Sequence, residues 1–484
     1  MGIVLEQSIK NTFTTYVGFV IGGINVLFLF TNFVNDDYFG LIQYIFSTAA
    51  IMMPLMAFGV HNTIIKFYSS FKTRQLQNSF LTLMLILPLC IAIPVGFLGY
   101  LSFESISFWL TQENSIIQDY IWLIFLSAIL FAYFEVFYAW SKVQMHSVFG
   151  NFMKEIFHRI STTILLFCLY LEFINVNQLI YNLVGVYALR MVIMALYAFS
   201  LKVPILRFNR IANIRDILKY SALIIIAGSV ANIILEIDKF MIGHYIQIEN
   251  VAYYAVAIYI ASVIGVPARA MHQITSPITA KLLNDNDKGE LKILYQKSSL
   301  SLFIISGLIF LLIVLNISEL YHLIPEKFRE GMIVVFLIGI AKLSDNLLGN
   351  NNAILFNSDY YRMVLLLGFG LVVLTIALNI VFIPKYGVVG AAYATFIAVM
   401  IYNIAKILFV NFLFKIIPFT SNTLKALVLI VVCFVIFYYW NFTFNPVVNI
   451  VLKSILVTSF YVFIAHYLRL SEDISILIKK ILKR

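Results

Sequence analysis

The chain of 484 residues is 62% hydrophobic and 16% aromatic, only 12% charged, and carries a formal net charge of +10 with a mean hydropathy of +0.95. No soluble core can hide that much apolar surface, so the composition excludes a soluble enzyme and requires an integral membrane protein. The excess of Lys and Arg must be tested against membrane topology before it is read as a nucleic-acid surface.

In chain order, apolar runs of about 20 residues, long enough to cross a bilayer, lie near Thr12–Val34, Leu41–Asn62, Ser79–Leu101, Ser115–Trp140, Ile156–Phe173, Gln178–Leu201 and Ile217–Ile237. They continue near Val251–Pro277, Ser299–Ser318, Gly331–Asn351, Tyr361–Pro384, Tyr386–Phe414, Ser421–Trp440 and Pro446–Tyr467. The expected fold is all-α and polytopic, with about 14 transmembrane helices. The first run lacks a small-residue cleavage site and reads as a retained helix. Cys90, Cys168 and Cys433 all fall inside apolar runs, which argues against disulfides and against metal.

The connections test these spans. One set holds Lys66, Lys72 and Arg74; Lys142, Lys154 and Arg159; Lys202, Arg207, Arg210, Arg215 and Lys219; Lys281, Lys288, Lys292 and Lys297; and the tail Lys479, Lys480, Lys483 and Arg484. The other set is poor in bases and carries Asp36, Asp37, Glu104, Glu113, Glu172, Glu249 and Glu319. This asymmetry puts both termini in the cytoplasm and accounts for the basic residues without nucleic acid. The outer connections are short, about a dozen residues at most, and leave no large external loop for sugar chemistry. An internal echo relates Asn35–Pro54 to Ile248–Pro267, with the same spacing from Gly40 to Pro54 as from Tyr253 to Pro267. Such repeats are the usual architecture of transporters.

Three segments carry a family likeness: Asn11–Val34; Glu236–Pro267; and "IPKYGVVGAAYATFIA", Ile383–Ala398, with Pro384, Gly387, Gly390, Ala391, Ala392, Ala394 and Thr395 in the pattern. In these the chain resembles the polysaccharide flippases of the multidrug/oligosaccharidyl-lipid/polysaccharide exporter superfamily, of the O-antigen unit translocase type. The resemblance implies two pseudo-symmetric six-helix lobes, 1–201 and 202–414, around a central cleft, with two additional helices and a basic tail in 415–484. It implies alternating access that carries a polyprenyl-diphosphate-linked oligosaccharide outward across a bacterial cytoplasmic membrane, for surface polysaccharide such as O-antigen or capsule. Tyr254-Ala255 is followed by Val256-Ala257, where the peptidoglycan-precursor relative has an Arg; sugar repeat units are therefore the expected cargo. No enzyme activity and no cofactor are expected. The expected partners are the lipid-linked oligosaccharide, membrane lipids, H+ or Na+ as coupling ion, and polysaccharide polymerase machinery. A multidrug or organic-cation exporter of the same superfamily is the first alternative and a membrane glycosyltransferase or polymerase the second.

Ionisable groups at membrane depth cost about 2.5–3.5 kcal/mol each on insertion scales and therefore face a cavity or a partner. For a diphosphate head the choice falls on Arg269 first, which has no acid three or four residues away, then Arg190 and Lys342. Arg suits the task because its planar fork engages two phosphate oxygens at once. Glu236, Asp238, Glu135 and Asp345 are the carboxylates able to couple an ion. Ordinary explanations stand beside these. Lys342 and Asp345, three apart, would neutralise each other; Asp238 and Lys239 would sit among headgroups; Glu135 would pair with a loop Arg. Gly387, Gly390, Ala391, Ala394 and Ala398 read as a helix-packing face, since small residues let helices approach in lipid. The run Gly349–Arg362 reads as an interfacial turn, and His146 and His158 as solvated loop positions. No phosphate-cradling G-x-x-x-x-G-K-[ST], H-E-x-x-H or G-x-S-x-G occurs.

Overall fold

A computed structural model describes residues 2–206, 211, 213–440 and 442–471. Arg207, Arg210 and the basic tail Lys479, Lys480, Lys483 and Arg484 lie outside the described residues. Every regular element among the described residues is helical, as a chain whose backbone polar groups must be satisfied within lipid requires. The chain divides into two compact units, Met1–Ala252 and Tyr253–Arg484.

The first unit holds α1 (Gly2–Ile24), α2 (Phe30–Phe33), α3 (Asp36–Met56), α4 (Val60–Phe67), α5 (Arg74–Leu101), α6 (Phe103–Leu110), α7 (Ile121–Val143), α8 (Val148–Phe152), α9 (His158–Tyr170), α10 (Val176–Leu201) and α11 (Ile214–Tyr245). The chain passes into the second unit within α12 (Glu249–Ser262) and continues through α13 (Val266–Asn284), α14 (Lys288–Leu315), α15 (Ile317–His322), α16 (Met332–Leu347), α17 (Asn351–Phe356), α18 (Tyr361–Phe414), α19 (Ser421–Tyr438) and α20 (Pro446–Tyr467). Among the described residues, 10 helical spans are long and apolar enough to cross a membrane. One of them, Arg362–Phe414, covers two of the runs read from the sequence.

Helix starts follow local chemistry. Asn175 and Gln178 form a capping box at α10, with Asn175 Oδ1 accepting from the Gln178 N–H at 2.8 Å and Gln178 Oε1 accepting from the Asn175 N–H at 2.9 Å. Asn445 caps α20 by accepting from the Val448 N–H at 2.9 Å, with Pro446 in the first turn, where its missing N–H costs nothing.

Two spans are broken, α3–α4 and α12–α13, and each break frees a carbonyl that a neighbouring helix satisfies. After Pro54, α3 ends, Phe58 and Gly59 take positive φ, and Ser221 of α11 donates to the Phe58 carbonyl at 2.6 Å. Between α12 and α13 lies a 3-10 turn, Val263–Gly265, whose Ile264 carbonyl accepts from Asn346 Nδ2 of α16 at 2.7 Å. A buried carbonyl without a donor costs about 1–3 kcal/mol, so these two side chains stabilise the bends.

Each unit has its own apolar core. In the first, Phe80, Phe134, Trp140, Met153, Met194 and Ile217 are buried together; in the second, Phe303, Phe310, Leu311, Cys433 and Tyr461 are.

Candidate functional site

Polar groups inside the first unit gather where two π-helical stretches interrupt the α-helices, at Asn25–Leu29 between α1 and α2 and at Met153–Phe157 between α8 and α9. Such stretches leave backbone groups for side chains to answer. Asn25 donates to the Arg159 carbonyl at 2.8 Å and accepts from Thr163 Oγ1 at 2.7 Å. The second stretch supplies Lys154 and Glu155. Lys154 Nζ donates to Glu135 of α7 at 2.6 Å, so Glu135 pairs with a lysine rather than with the loop arginine expected of it. Glu155 pairs with Arg159 at 3.5 Å.

Arg190 of α10 is 7% exposed. Its guanidinium carbon lies 4.1 Å from the centre of the Phe134 ring and 4.8 Å from that of Tyr187. A guanidinium this close over aromatic rings gains about 0.5–2 kcal/mol per contact. Among the described residues Arg190 has no carboxylate within 4.0 Å, and its Nε has no hydrogen-bond partner. His158 is not a solvated loop residue: it is half-buried in the first turn of α9, its ring stacked on Tyr187 at 5.8 Å. On α11, Glu236 accepts from Lys239 at 2.8 Å and from Ser47 of α3 at 2.9 Å. Lys239 is thus held by a carboxylate one turn back instead of reaching into headgroups, and Asp238 beside it is only 4% exposed.

In the second unit Arg269 is exposed on α13, one turn past the 3-10 break, with no ion pair among the described residues. The methylene chain of Lys342 lies alongside Gly265 of that break. Lys342 and Asp345 do not neutralise each other: Asp345 instead accepts from Asn403 Nδ2 of α18 at 2.8 Å. One turn beyond Asn403 is Lys406, 3% exposed, with Nζ 2.9 Å from Asn352 Oδ1 and 4.5 Å from the centre of the Tyr402 ring. Sequence reasoning passed over Lys406, although a lysine two turns inside an apolar run is itself the signal.

The small-residue run divides by role. Gly387 takes φ +58 and ψ −136 at the kink in α18 after Pro384, and a Cβ there would meet nothing within 4 Å. It therefore departs from the packing expectation and serves the backbone turn. Gly390 is a close approach, since a Cβ would collide with the Phe382 carbonyl across the kink. Ala391, Ala394 and Ala398 are fully buried, in keeping with a packing face.

Among solved structures, the lipid II flippase MurJ in an inward closed conformation is similar over 96% of this chain and 99% of its own, with a TM-score of 0.70 and 13% identity. An inward-facing multidrug resistance MATE family transporter of the MOP superfamily is similar over 84% of this chain and 94% of its own, with a TM-score of 0.63 and 13% identity. A MATE transporter of Vibrio cholerae, VcmN, covers 84% and 97%, at TM-score 0.56 and 12% identity. At such identities the likeness shows the fold alone, the one that this flippase and these transporters share. No curated protein matches the chain significantly. The family model described as polysaccharide biosynthesis protein matches residues 8–283, more than half of the chain, which therefore belongs to that family.

Proposed function

We propose that this protein moves a polyprenyl-diphosphate-linked oligosaccharide repeat unit across the cytoplasmic membrane of a bacterium by alternating access, for surface polysaccharide such as O-antigen or capsule. Its lobes are 1–201 and 202–414, with 415–484 as an appendage, and both termini face the cytoplasm. One observation carries the reading. Lys154, Arg159 and Lys239 are paired with Glu135, Glu155 and Glu236, whereas Arg190, Arg269, Lys342 and Lys406 have no opposite charge within 4.0 Å among the described residues. The surplus at membrane depth is cationic, which suits two phosphates and disfavours an organic cation. Arg269, Arg190 and Lys342 are the diphosphate contacts. The carboxylates Glu135, Glu236, Asp238 and Asp345 are the groups through which H+ or Na+ would be coupled, and a polysaccharide polymerase would take up the delivered unit.

The reading is tested in a strain lacking the gene, by surface polysaccharide and by the leaflet distribution of its lipid-linked precursor. Loss of glycan with precursor facing the cytoplasm is expected. Normal glycan together with increased sensitivity to cationic toxins would instead establish the drug-export alternative.

A further inference from the structure

The run Asn350-Asn351-Asn352, expected to be an interfacial turn, is instead a junction inside the second unit. Asn350 and Asn351 are wholly buried at the start of the short helix α17. Consecutive helical residues point about 100° apart, so three polar side chains in a row reach three directions. Asn350 Nδ2 donates to Thr279 Oγ1 of α13, and its backbone N–H donates to Ser298 Oγ of α14 at 3.2 Å. Asn351 Nδ2 donates to Tyr295 Oη of α14 at 2.7 Å. Asn352 Oδ1 accepts from Lys406 Nζ of α18 at 2.9 Å. One six-residue helix is thereby tied to three long ones. Asn346 and Asn403 extend the layer, the first donating to Ser306 at 2.6 Å and the second to Asp345 at 2.8 Å.

The three ties differ in kind. Those of Asn350 and Asn351 join fully buried neutral groups, and breaking either leaves polar atoms stranded. The tie of Asn352 joins an ammonium to a neutral amide on a half-buried side chain, while the nearby carboxylate of Asp345 is engaged by Asn403. A cation bonded to an amide is held less firmly than one bonded to a carboxylate, as Lys154 and Lys239 are. The Lys406–Asn352 bond is accordingly the one charged tie on α17, and the one whose cation a competing carboxylate or phosphate can draw away.

We infer that Asn350, Asn351 and Asn352 with Lys406 form a latch that closes α17 onto the second unit, and that opening of the Lys406–Asn352 bond is a step of the transport cycle. Lys406 acts here as a positioning residue. Two substitutions at one position push the latch in opposite directions: Asn352→Ala removes the acceptor, and Asn352→Asp turns it into a carboxylate that grips Lys406 more tightly.

The test uses the full chain in liposomes with C90S, C168S and C433A, and with A353C as reporter, because Ala353 of α17 is buried. N-ethylmaleimide should label A353C at least about tenfold faster with N352A, the low end of what a hydrogen bond to a charged group supplies, and several-fold more slowly with N352D. Unchanged labelling, or a rise with both variants as a packing defect would give, overturns the latch. Should N352A fail to fold, N352D decides alone, since it keeps the shape of the side chain. In cells N352D should reduce surface glycan at normal abundance; full glycan despite slowed labelling would overturn the claim that opening belongs to the cycle. Labelling needs no substrate, so this result stands apart from the identity of the cargo.

Discussion

Arg269 and Arg190 are both unpaired with acids among the described residues, yet they are held in opposite ways. Arg269 is exposed and has its fork free, whereas Arg190 is buried and braced on aromatic faces. Arg269→Ala removes charge and fork together and should lower transport ten- to a hundredfold, the range of about 1.5–3 kcal/mol for a charge-assisted bond, at unchanged abundance. Arg269→Lys keeps the charge and should retain part of the activity. Surface polysaccharide set against membrane abundance reads both, and normal glycan in the Ala variant removes the residue from the site. At Arg190 the order changes. Because the rings of Phe134 and Tyr187 hold a planar group, Arg190→Lys should be nearly as damaging as Arg190→Met, with some loss of stability in each. A lysine variant with full activity would show that stacking has no role. The sequence announced these two arginines because a charge in an apolar run has few ordinary explanations. It could not announce that Glu135 is neutralised by Lys154, since that partner comes from a π-helical stretch with no signature in residue pattern.

The breaks after α3 and after α12 depend on side chains far away in sequence. Ser221 answers the Phe58 carbonyl and Asn346 answers that of Ile264. Ser221→Ala and Asn346→Ala should each destabilise the fold by about 1–3 kcal/mol, the cost of an unmet buried carbonyl. The second should be the larger, because Asn346 also serves Ser306. Melting of the detergent-solubilised protein measures both, and two wild-type melting curves would mean that the bends hold themselves. The kink in α18 offers a sharper comparison. Gly390→Val drives a side chain into the Phe382 carbonyl, whereas Gly387→Ala has space but a disfavoured φ. Gly390→Val should therefore prevent accumulation in the membrane, and Gly387→Ala should only lower the melting temperature by a few degrees, for about 1–3 kcal/mol of backbone strain at a positive φ. Equal effects would refute the division of roles. Apolar runs made the helices legible, and Pro54 and Pro267 hinted at the breaks. The run from Gly349 to Arg362 misled because asparagines usually mark solvated turns; here Asn350, Asn351 and Asn352 each find a buried partner on another helix.

At the scale of the whole chain, the two units repeat a charge arrangement that neither shows clearly alone. Arg190 in the first lies over Tyr187 of its own helix, and Lys406 in the second lies over Tyr402 of its own. Each has a carboxylate on a helix packed against its own, Glu135 on α7 or Asp345 on α16, that is engaged by a different residue. Holding the acids elsewhere leaves the cations unmatched, so an anion entering either unit gains attraction without first breaking an ion pair. Liposomes containing the purified protein should therefore move a fluorescent polyprenyl-diphosphate oligosaccharide between leaflets, as read by quenching with an impermeant reductant. The same lipid with a single phosphate should move more slowly, and a neutral glycolipid slowest of all. Raising salt should weaken only slightly the part of this order that Arg190 and Lys406 carry, because buried charges are poorly screened. Equal rates for the three lipids would mean that the cations serve packing alone, and active uptake of ethidium would assign them to a different cargo.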